Sequence, residues 1–222
     1  MRRTLYLPTP QGLIEADACY GQRELWAELF FDGDLESTEQ IKWTPERLQT
    51  AIDNDVDLRW GFEHGLGRTL PRSVALKHPI MAYYYAESVD FEPRNDTRTA
   101  ACGDPLHALD YAHYVDHGPH DDTRNAVLGS AWYSYLYARD VDKGPHDDTR
   151  KAVLGSAEYA CLYARHVDAG PRDDTRKAVL GSAEYACLYA EYVDEGPRDD
   201  TRQAVLGSAE YACLYAAYVD KP

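Results

Sequence analysis

The residues best suited to chemistry recur along the chain. Asp-Asp-Thr-Arg stands at residues 121–124, 147–150, 173–176 and 199–202, and an Asn-Asp-Thr-Arg variant stands at 95–98. Paired carboxylates beside a guanidinium are raw material for general acid–base work, and His120 and His146 add an imidazole directly before two of the tetrads. Two features argue against such a use. The carboxylates repeat with the scaffold, whereas an active site breaks a repeat by placing one unlike constellation in a cleft. The histidine position is occupied by Arg172 and Arg198 in later copies, which a metal-ligand role would not survive. No GxGxxG, phosphate-loop, HExxH or GxSxG stretch is present, and Glu63-His64 with His78 is too isolated to interpret. The expectation is therefore a non-enzyme with no catalytic residue, no metal and no cofactor. An enzymatic alternative would have to draw on Glu15, Asp17, Glu24 and Glu28 of the N-terminal segment.

The tetrads are carried by a 26-residue period. Residues 170–195 read GPRDDTRKAVLGSAEYACLYAEYVDE, and near copies start at 144 and 196, with more divergent ones at 118, 92 and 66. Self-similarity on this scale marks a stacked array in which no unit buries its apolar face alone. Within the copy at 196, Asp199 is placed to cap a short helix to about Leu206, Gly207 suits a left-handed stop, and Ser208 suits the cap of a second helix over 209–219. Both helices are too short to be stable alone in water. The fold class expected is mainly α: a short α-solenoid over residues 66–222 with a small α+β cap over residues 1–65.

The second helix carries two apolar stripes. Ala183, Ala186, Ala190 and Val193 form a small-residue seam, and Tyr185, Tyr189 and Tyr192 form an aromatic one. Along the array the tyrosines become ladders: Tyr133, Tyr159, Tyr185 and Tyr211 in one row, and Tyr111, Tyr137, Tyr163, Tyr189 and Tyr215 in the next. The rings either fill space between layers with hydroxyls reaching water, or present one row to a partner, since tyrosine gives large contact area at low entropic cost. The first aspartate of each tetrad is explained as an N-cap. Arg124, Arg150, Arg176 and Arg202 are expected to bridge to acids of an adjacent unit, with the closing Asp116, Asp142, Asp168, Asp194 and Asp220 as candidate partners, each exposed pair worth under about 1 kcal/mol.

In the N-terminal segment, residues 3–7, 13–19 and 25–31 are short β-prone runs that suggest a strand meander, while Thr44-Pro45-Glu46 starts a helix over 45–54. Trp26, Trp43 and Trp60 are available for a core. Cys161, Cys187 and Cys213 share one repeat position on helices about 9–10 Å apart, too far for a disulfide, and read as small buried seam residues. No run approaches 18 apolar residues and the first residues lack a secretory signal, so an intracellular, cytoplasmic chain is expected.

Charge is the strongest functional clue. Residues 1–65 hold 6 basic and 13 acidic groups, and residues 66–222 hold 17 and 25, a net of −15 for the chain. That excludes bare nucleic acid or an anionic membrane as the natural partner and favours a basic protein surface. Candidate contacts are Glu15, Asp17, Glu24 and Glu28 together with both tyrosine rows. The last copy keeps the apolar pattern of the internal ones, which suggests a homodimer through the C-terminal repeat.

Tyr137-Ala138-Arg139-Asp140-Val141, followed by a charged-Gly loop and a Pro-led acidic helix start, resembles the short helical repeats with a Tyr-Ala-Arg-Asp-Val core of phage, giant-virus and bacterial proteins. Later copies depart from it, as Tyr163-Ala164-Arg165-His166-Val167 and Tyr189-Ala190-Glu191-Tyr192-Val193, and the loop reads GPxDDTR. The resemblance covers at most residues 92–221 and implies a two-helix solenoid of viral or mobile-element origin, without site residues to transfer. The function expected is non-catalytic binding of a protein, as an inhibitor of a host nucleic-acid-handling or defence complex, a nucleic-acid mimic of anti-CRISPR type. The alternative is a structural protein that self-associates through its end repeats.

Overall fold

Thr9-Pro10 and Thr44-Pro45 each pair a hydroxyl cap with a proline whose fixed φ suits the first helical position, and each starts a helix. Thr9 Oγ1 accepts the Gly12 N–H at 3.1 Å to open α1 (Pro10–Glu15). Next comes α2 (Tyr20–Phe30), and Thr44 Oγ1 accepts the Arg47 N–H at 3.2 Å at the start of α3 (Pro45–Asp53), matching the helix expected there. The computed structural model describes residues 6–54, 56–64 and 66–220, and the chain divides into two units, Met1–His107 and Ala108–Pro222.

The strand meander is corrected: residues 13–15 and 25–30 are helical, within α1 and α2. The apolar runs are short enough to serve either period, and Trp26, Ala27 and Phe30 lie at helical spacing on the side that meets the core. Among the described residues the β structure is one isolated antiparallel bridge, Tyr6 to Lys42, with Leu7 N–H donating to the Ile41 carbonyl at 2.7 Å. Residues 3–5 of the first expected strand lie outside the described residues.

The first unit continues through α4 (Leu58–Glu63), a 3-10 turn at Leu66–Thr69, α5 (Arg72–Ala75), α6 (Pro79–Tyr85) with a π-helical last turn at Ala86–Asp90, and α7 (Asn95–Ala101). Its core joins Leu7, Trp26, Trp43 and Leu48 to Leu70, Val74 and Met81, so the copy that begins at residue 66 shares an interior with the segment before it. Two indole N–H groups are satisfied inside this core: Trp26 donates to the Pro8 carbonyl (2.9 Å) and Trp43 to Thr69 Oγ1 (3.3 Å).

The chain leaves this unit within α8 (Pro105–Asp110). The second unit then repeats a helix pair: α9 (Asp121–Val127) and α10 (Ala131–Leu136), α11 (Asp147–Val153) and α12 (Ala157–His166), α13 (Asp173–Val179) and α14 (Ala183–Tyr192), α15 (Asp199–Val205) and α16 (Ala209–Tyr218). Ser130, Ser156 and Ser182 cap the second helices through Oγ. Cores are shared between copies. Ala160, Cys161 and Ala164 of α12 pack with Val179 of α13 and with Tyr189 and Val193, and the same set shifted by one period is Ala186, Cys187, Ala190, Val205, Tyr215 and Val219. In these cores each copy is completed by the next, which is the physical meaning of stacking.

Three details of the punctuation differ from expectation. The N-cap position of each first helix is the residue before the tetrad, not its first aspartate: His120 Nδ1 accepts the Asp122 N–H (3.2 Å) and His146 Nδ1 the Asp148 N–H (3.3 Å), while Arg172 and Arg198 hold the position without a side-chain cap. First helices end in 3-10 closures such as Ser208 N–H to the Val205 carbonyl (3.0 Å), and among the described glycines only Gly33 has a positive φ, so Gly207 is not a left-handed stop. The left-handed position falls instead at the end of the second helix, on His117, Lys143, Ala169 and Glu195, with φ between 53° and 56°. Wide closing bonds put it there: Asp168 N–H reaches the Tyr163 carbonyl and Gly170 N–H the Ala164 carbonyl, and Tyr137–Asp142 is π-helical outright.

Candidate partner surface

One tyrosine row is interior. Tyr111, Tyr137, Tyr163, Tyr189 and Tyr215 are fully buried, which corrects the expectation that Tyr137, Tyr163, Tyr189 and Tyr215 meet a partner or send their hydroxyls to water. The Tyr163 hydroxyl accepts the His146 N–H at 3.0 Å and lies 2.9 Å from Thr149 Oγ1 and 3.1 Å from the His146 carbonyl. Tyr137, Tyr189 and Tyr215 repeat the arrangement with Thr123, Thr175 and Thr201. Burial pushes the Tyr137, Tyr163 and Tyr189 phenols up, so these groups stay neutral and hold the first helix of a copy to its second.

The tetrad arginine lies over the same ring and ends the lock. Arg150 and Arg176 sit 5.8 Å from the centres of Tyr163 and Tyr189. Each pairs with the closing aspartate of its own copy: Arg124–Asp142 (2.7 Å), Arg150–Asp168 (2.6 Å), Arg176–Asp194 (2.5 Å) and Arg202–Asp220 (2.6 Å). Of the named partners Asp142, Asp168, Asp194 and Asp220 are thus found, and for these arginines the adjacent-unit bridge is corrected, because the pair closes 18 residues along the same copy. These are not surface pairs, either: Arg176 and Asp194 are 7% and 2% exposed, and only the last pair, at 43% and 32%, is open to solvent. A related constellation occurs in the faintest copy, where Arg72 pairs with Asp90 of its own copy, lies over Tyr85 at 5.4 Å, and in addition bridges to Asp96 of the next copy. Stepping back two periods from Arg124 would have located Arg72 in the sequence.

With tetrad threonine, tetrad arginine, closing aspartate and inner tyrosine all turned inward, three other sets face out. The first is an acidic edge at the N-termini of the first helices. Asp121, Asp147, Asp173 and Asp199 are almost fully exposed, and Asp122, Asp148, Asp174 and Asp200 beside them are exposed too. Carboxylates are stable here because a helix N-terminus carries partial positive charge. The second is the outer tyrosine row, Tyr133, Tyr159, Tyr185 and Tyr211, which is half-buried. Glu158 and Glu184 stand near Tyr185, and Glu184 and Glu210 near Tyr211; partial burial first and these carboxylates second hold both phenols up. The third is a groove of about 120 Å³ between α12 and α14, floored by Cys161, Leu162 and Leu188, with Glu158 and Arg165 on one side and Tyr185 and Tyr192 on the other. Arg165 lies 4.3 Å over the Tyr192 ring. One copy earlier, Trp132 and Tyr135 replace Glu158 and Cys161, Tyr135 stacking on Tyr159 and Trp132 meeting it at a tilt of 46°.

In the first unit Glu15, Asp17, Glu24 and Glu28 are all exposed. Glu24 and Glu28 lie one turn apart on α2, Glu15 ends α1, and Asp17 follows it in a left-handed conformation (φ 61°). The sequence did not single out the exposed tetrad aspartates as surface, although the tetrad itself was the signal. The seam cysteines behave as expected at Cys161 and Cys187, which are buried, but Cys213 is exposed because no further copy covers α16 among the described residues. Among the described residues no three of His, Cys, Asp and Glu converge in a way that could hold a metal ion, and no helix is long and apolar enough to cross a membrane. No family model, curated protein or solved structure matches this chain.

Proposed function

We propose that the chain is a non-catalytic binding protein whose partner is a protein with a basic surface, and that it inhibits a host nucleic-acid-handling or defence complex by occupying a nucleic-acid path, as a viral or mobile-element protein would. The observation that carries this reading is the exposed acidic edge, two aspartates per copy in register from Asp121 to Asp200. With layers about 9–10 Å apart, two carboxylates per layer give one charge per about 5 Å, within twofold of the ~3.4 Å spacing of one nucleic-acid strand. The half-buried tyrosines add flat contact area beside the charge. The test is affinity capture from a host lysate with mass spectrometry, repeated with Asp121, Asp147, Asp173 and Asp199 changed to lysine and with Glu15, Asp17, Glu24 and Glu28 changed to lysine. Capture of nucleic-acid-handling proteins that weakens with salt and with either charge reversal supports the proposal; capture indifferent to both removes it.

A second reading, self-association through the last repeat, is favoured by a separate observation. Ala138, Ala164 and Ala190 are fully buried, but their counterpart Ala216 is exposed, together with Leu214 and with Leu206 at 62%. Sedimentation of the full chain and of Leu206→Glu at micromolar to millimolar concentration separates the readings: a dimer in the first and a monomer in the second supports it, and monomers in both end it.

A further inference from the structure

In this acidic array one stretch of second-helix ends is basic. At the same three repeat positions the copy at 92 holds His113, Tyr114 and His117, the copy at 118 holds Arg139, Asp140 and Lys143, the copy at 144 holds Arg165, His166 and Ala169, and the copy at 170 holds Glu191, Tyr192 and Glu195. The first two sets border a surface hollow of about 230 Å³ within the second unit, lined by His113, His117, Asp140 and Lys143 with uncharged residues between them. Both copies reach it through π-helical turns, Tyr111–Val115 and Tyr137–Asp142, a rare geometry found mostly at functional sites. His117 and Lys143 follow those turns in left-handed backbone, at φ 54° and 56°. No later pair of copies brings two imidazoles and an ammonium to these positions, so the constellation breaks the repeat, as a site does.

Asp140 is the one carboxylate of the lining, and it is already neutralised: Arg139 Nε and Nη2 donate to its two oxygens at 2.6 and 2.7 Å. That leaves the Lys143 ammonium and the two imidazoles, all exposed, none of which makes a side-chain hydrogen bond or ion pair among the described residues. The positive field persists one copy along, where burial lowers the His166 imidazole and Arg165 and Arg139 beside it add to the shift. Three donor groups match the three terminal oxygens of a phosphoryl group, where a carboxylate offers two. The volume lies below the roughly 300–1,000 Å³ of drug-sized clefts, which suits a headgroup rather than a whole cofactor. A polyanion is disfavoured, because Asp121 and Asp122 follow shortly after His117, and Asp147 and Asp148 shortly after Lys143. We propose that this hollow binds a single phosphate group, as the free ion or as a small monoester. The acidic edge and its protein partner play no part in it.

The probes are inorganic phosphate, glycerol 3-phosphate and acetate, titrated into the full chain at constant ionic strength and mildly acidic pH while the histidine ring signals are followed by NMR. Phosphate should shift His113 and His117 saturably, leave His64 and His78 of the first unit in place, and bind about tenfold or more tightly than acetate. Glycerol 3-phosphate binding more tightly than phosphate assigns the site to an ester and the reverse order assigns it to the free ion; either order supports the proposal. Lys143→Gln should weaken phosphate about tenfold, whereas Lys151→Gln, which removes the same charge from α11, should leave it unchanged. Both lysines are exposed, so neither variant puts the fold at risk. No saturable shift, acetate bound as tightly as phosphate, or equal losses in the two lysine variants would overturn the proposal.

Discussion

Replacing Asp194 by Asn tests whether burial turns a repeated ion pair into a structural lock. Arg176 reaches Asp194 through Nη2 at 2.5 Å and through Nε to both oxygens at 3.2 Å, with the two side chains 7% and 2% exposed. Asparagine keeps the shape and removes the charge, leaving Arg176 with the exposed Asp173 at 3.2 Å and the weaker field of Asp200. Removing one partner of a buried pair costs about 3–5 kcal/mol, and the remaining contact to Asp173 sets the expected loss near the lower end, about 3 kcal/mol. The last copy supplies the control. Asp220→Asn breaks the same pair where Arg202 is 43% exposed, and water takes over the lost contact at little cost. Urea unfolding followed by far-ultraviolet circular dichroism should lower the midpoint by at least about 1 M for Asp194→Asn, with a slope near 2–3 kcal/mol per molar. The midpoint for Asp220→Asn should move by a small fraction of that. Equal losses at the two sites, or none at Asp194, would refute the reasoning that burial sets the strength.

Tyr189→Phe strands the Arg172 N–H that the hydroxyl accepts at 3.0 Å and should cost about 1–3 kcal/mol in the same assay. Ala169→Gly and Glu195→Gly relieve left-handed backbone at φ 53° and should each stabilise the chain by about 0.5–1 kcal/mol, read as a raised midpoint. Burial pushes the Cys161 thiol up to about 11, so iodoacetamide at mildly alkaline pH should label the exposed Cys19 and Cys213 well before native Cys161, as peptide mass spectrometry would show. Hydrogen bonds from Arg72 hold the Asp96 carboxyl below the usual range. Its folded value lies below its unfolded one, so its stabilisation is present at neutral pH and lost as pH falls through the folded value. Acid titration of Asp96→Asn should therefore show a deficit at neutral pH that closes toward acid.

Much of the repeat was legible because its punctuation is strong. The helix expected from an Asp199 cap to about Leu206 is found at Asp199–Val205, and the one expected over 209–219 at Ala209–Tyr218, with Ser208 at its N-cap position and the Gly-Pro loop before the pair. Which tyrosine row turns inward was not legible, since both rows lie at helical spacing. The choice is made by Thr149 and its counterparts, which reach a hydroxyl 14 residues on and satisfy it away from water. Burial of the tetrad arginines was hidden for a similar reason: a guanidinium reads as surface until its aspartate, 18 residues later, is brought beside it. In residues 13–31 the apolar runs are too short for periodicity to separate strand from helix, and packing against Trp43 and Leu48 decides for helix. On the surface, the tetrad aspartates could be found but not oriented until His120 and His146 proved to be the caps.

Deleting one period tests the stacked array most directly. Removing residues 170–195 rejoins Ala169 to Gly196 with every shared core re-formed one copy shorter. The chain should unfold cooperatively, with helical content per residue kept and a somewhat lower midpoint. Removing residues 170–182 takes out α13 and with it Val179, and should abolish cooperative unfolding of the copies that follow. If the full-period deletion is as damaging as the half-period one, the copies are not interchangeable layers and the account is wrong.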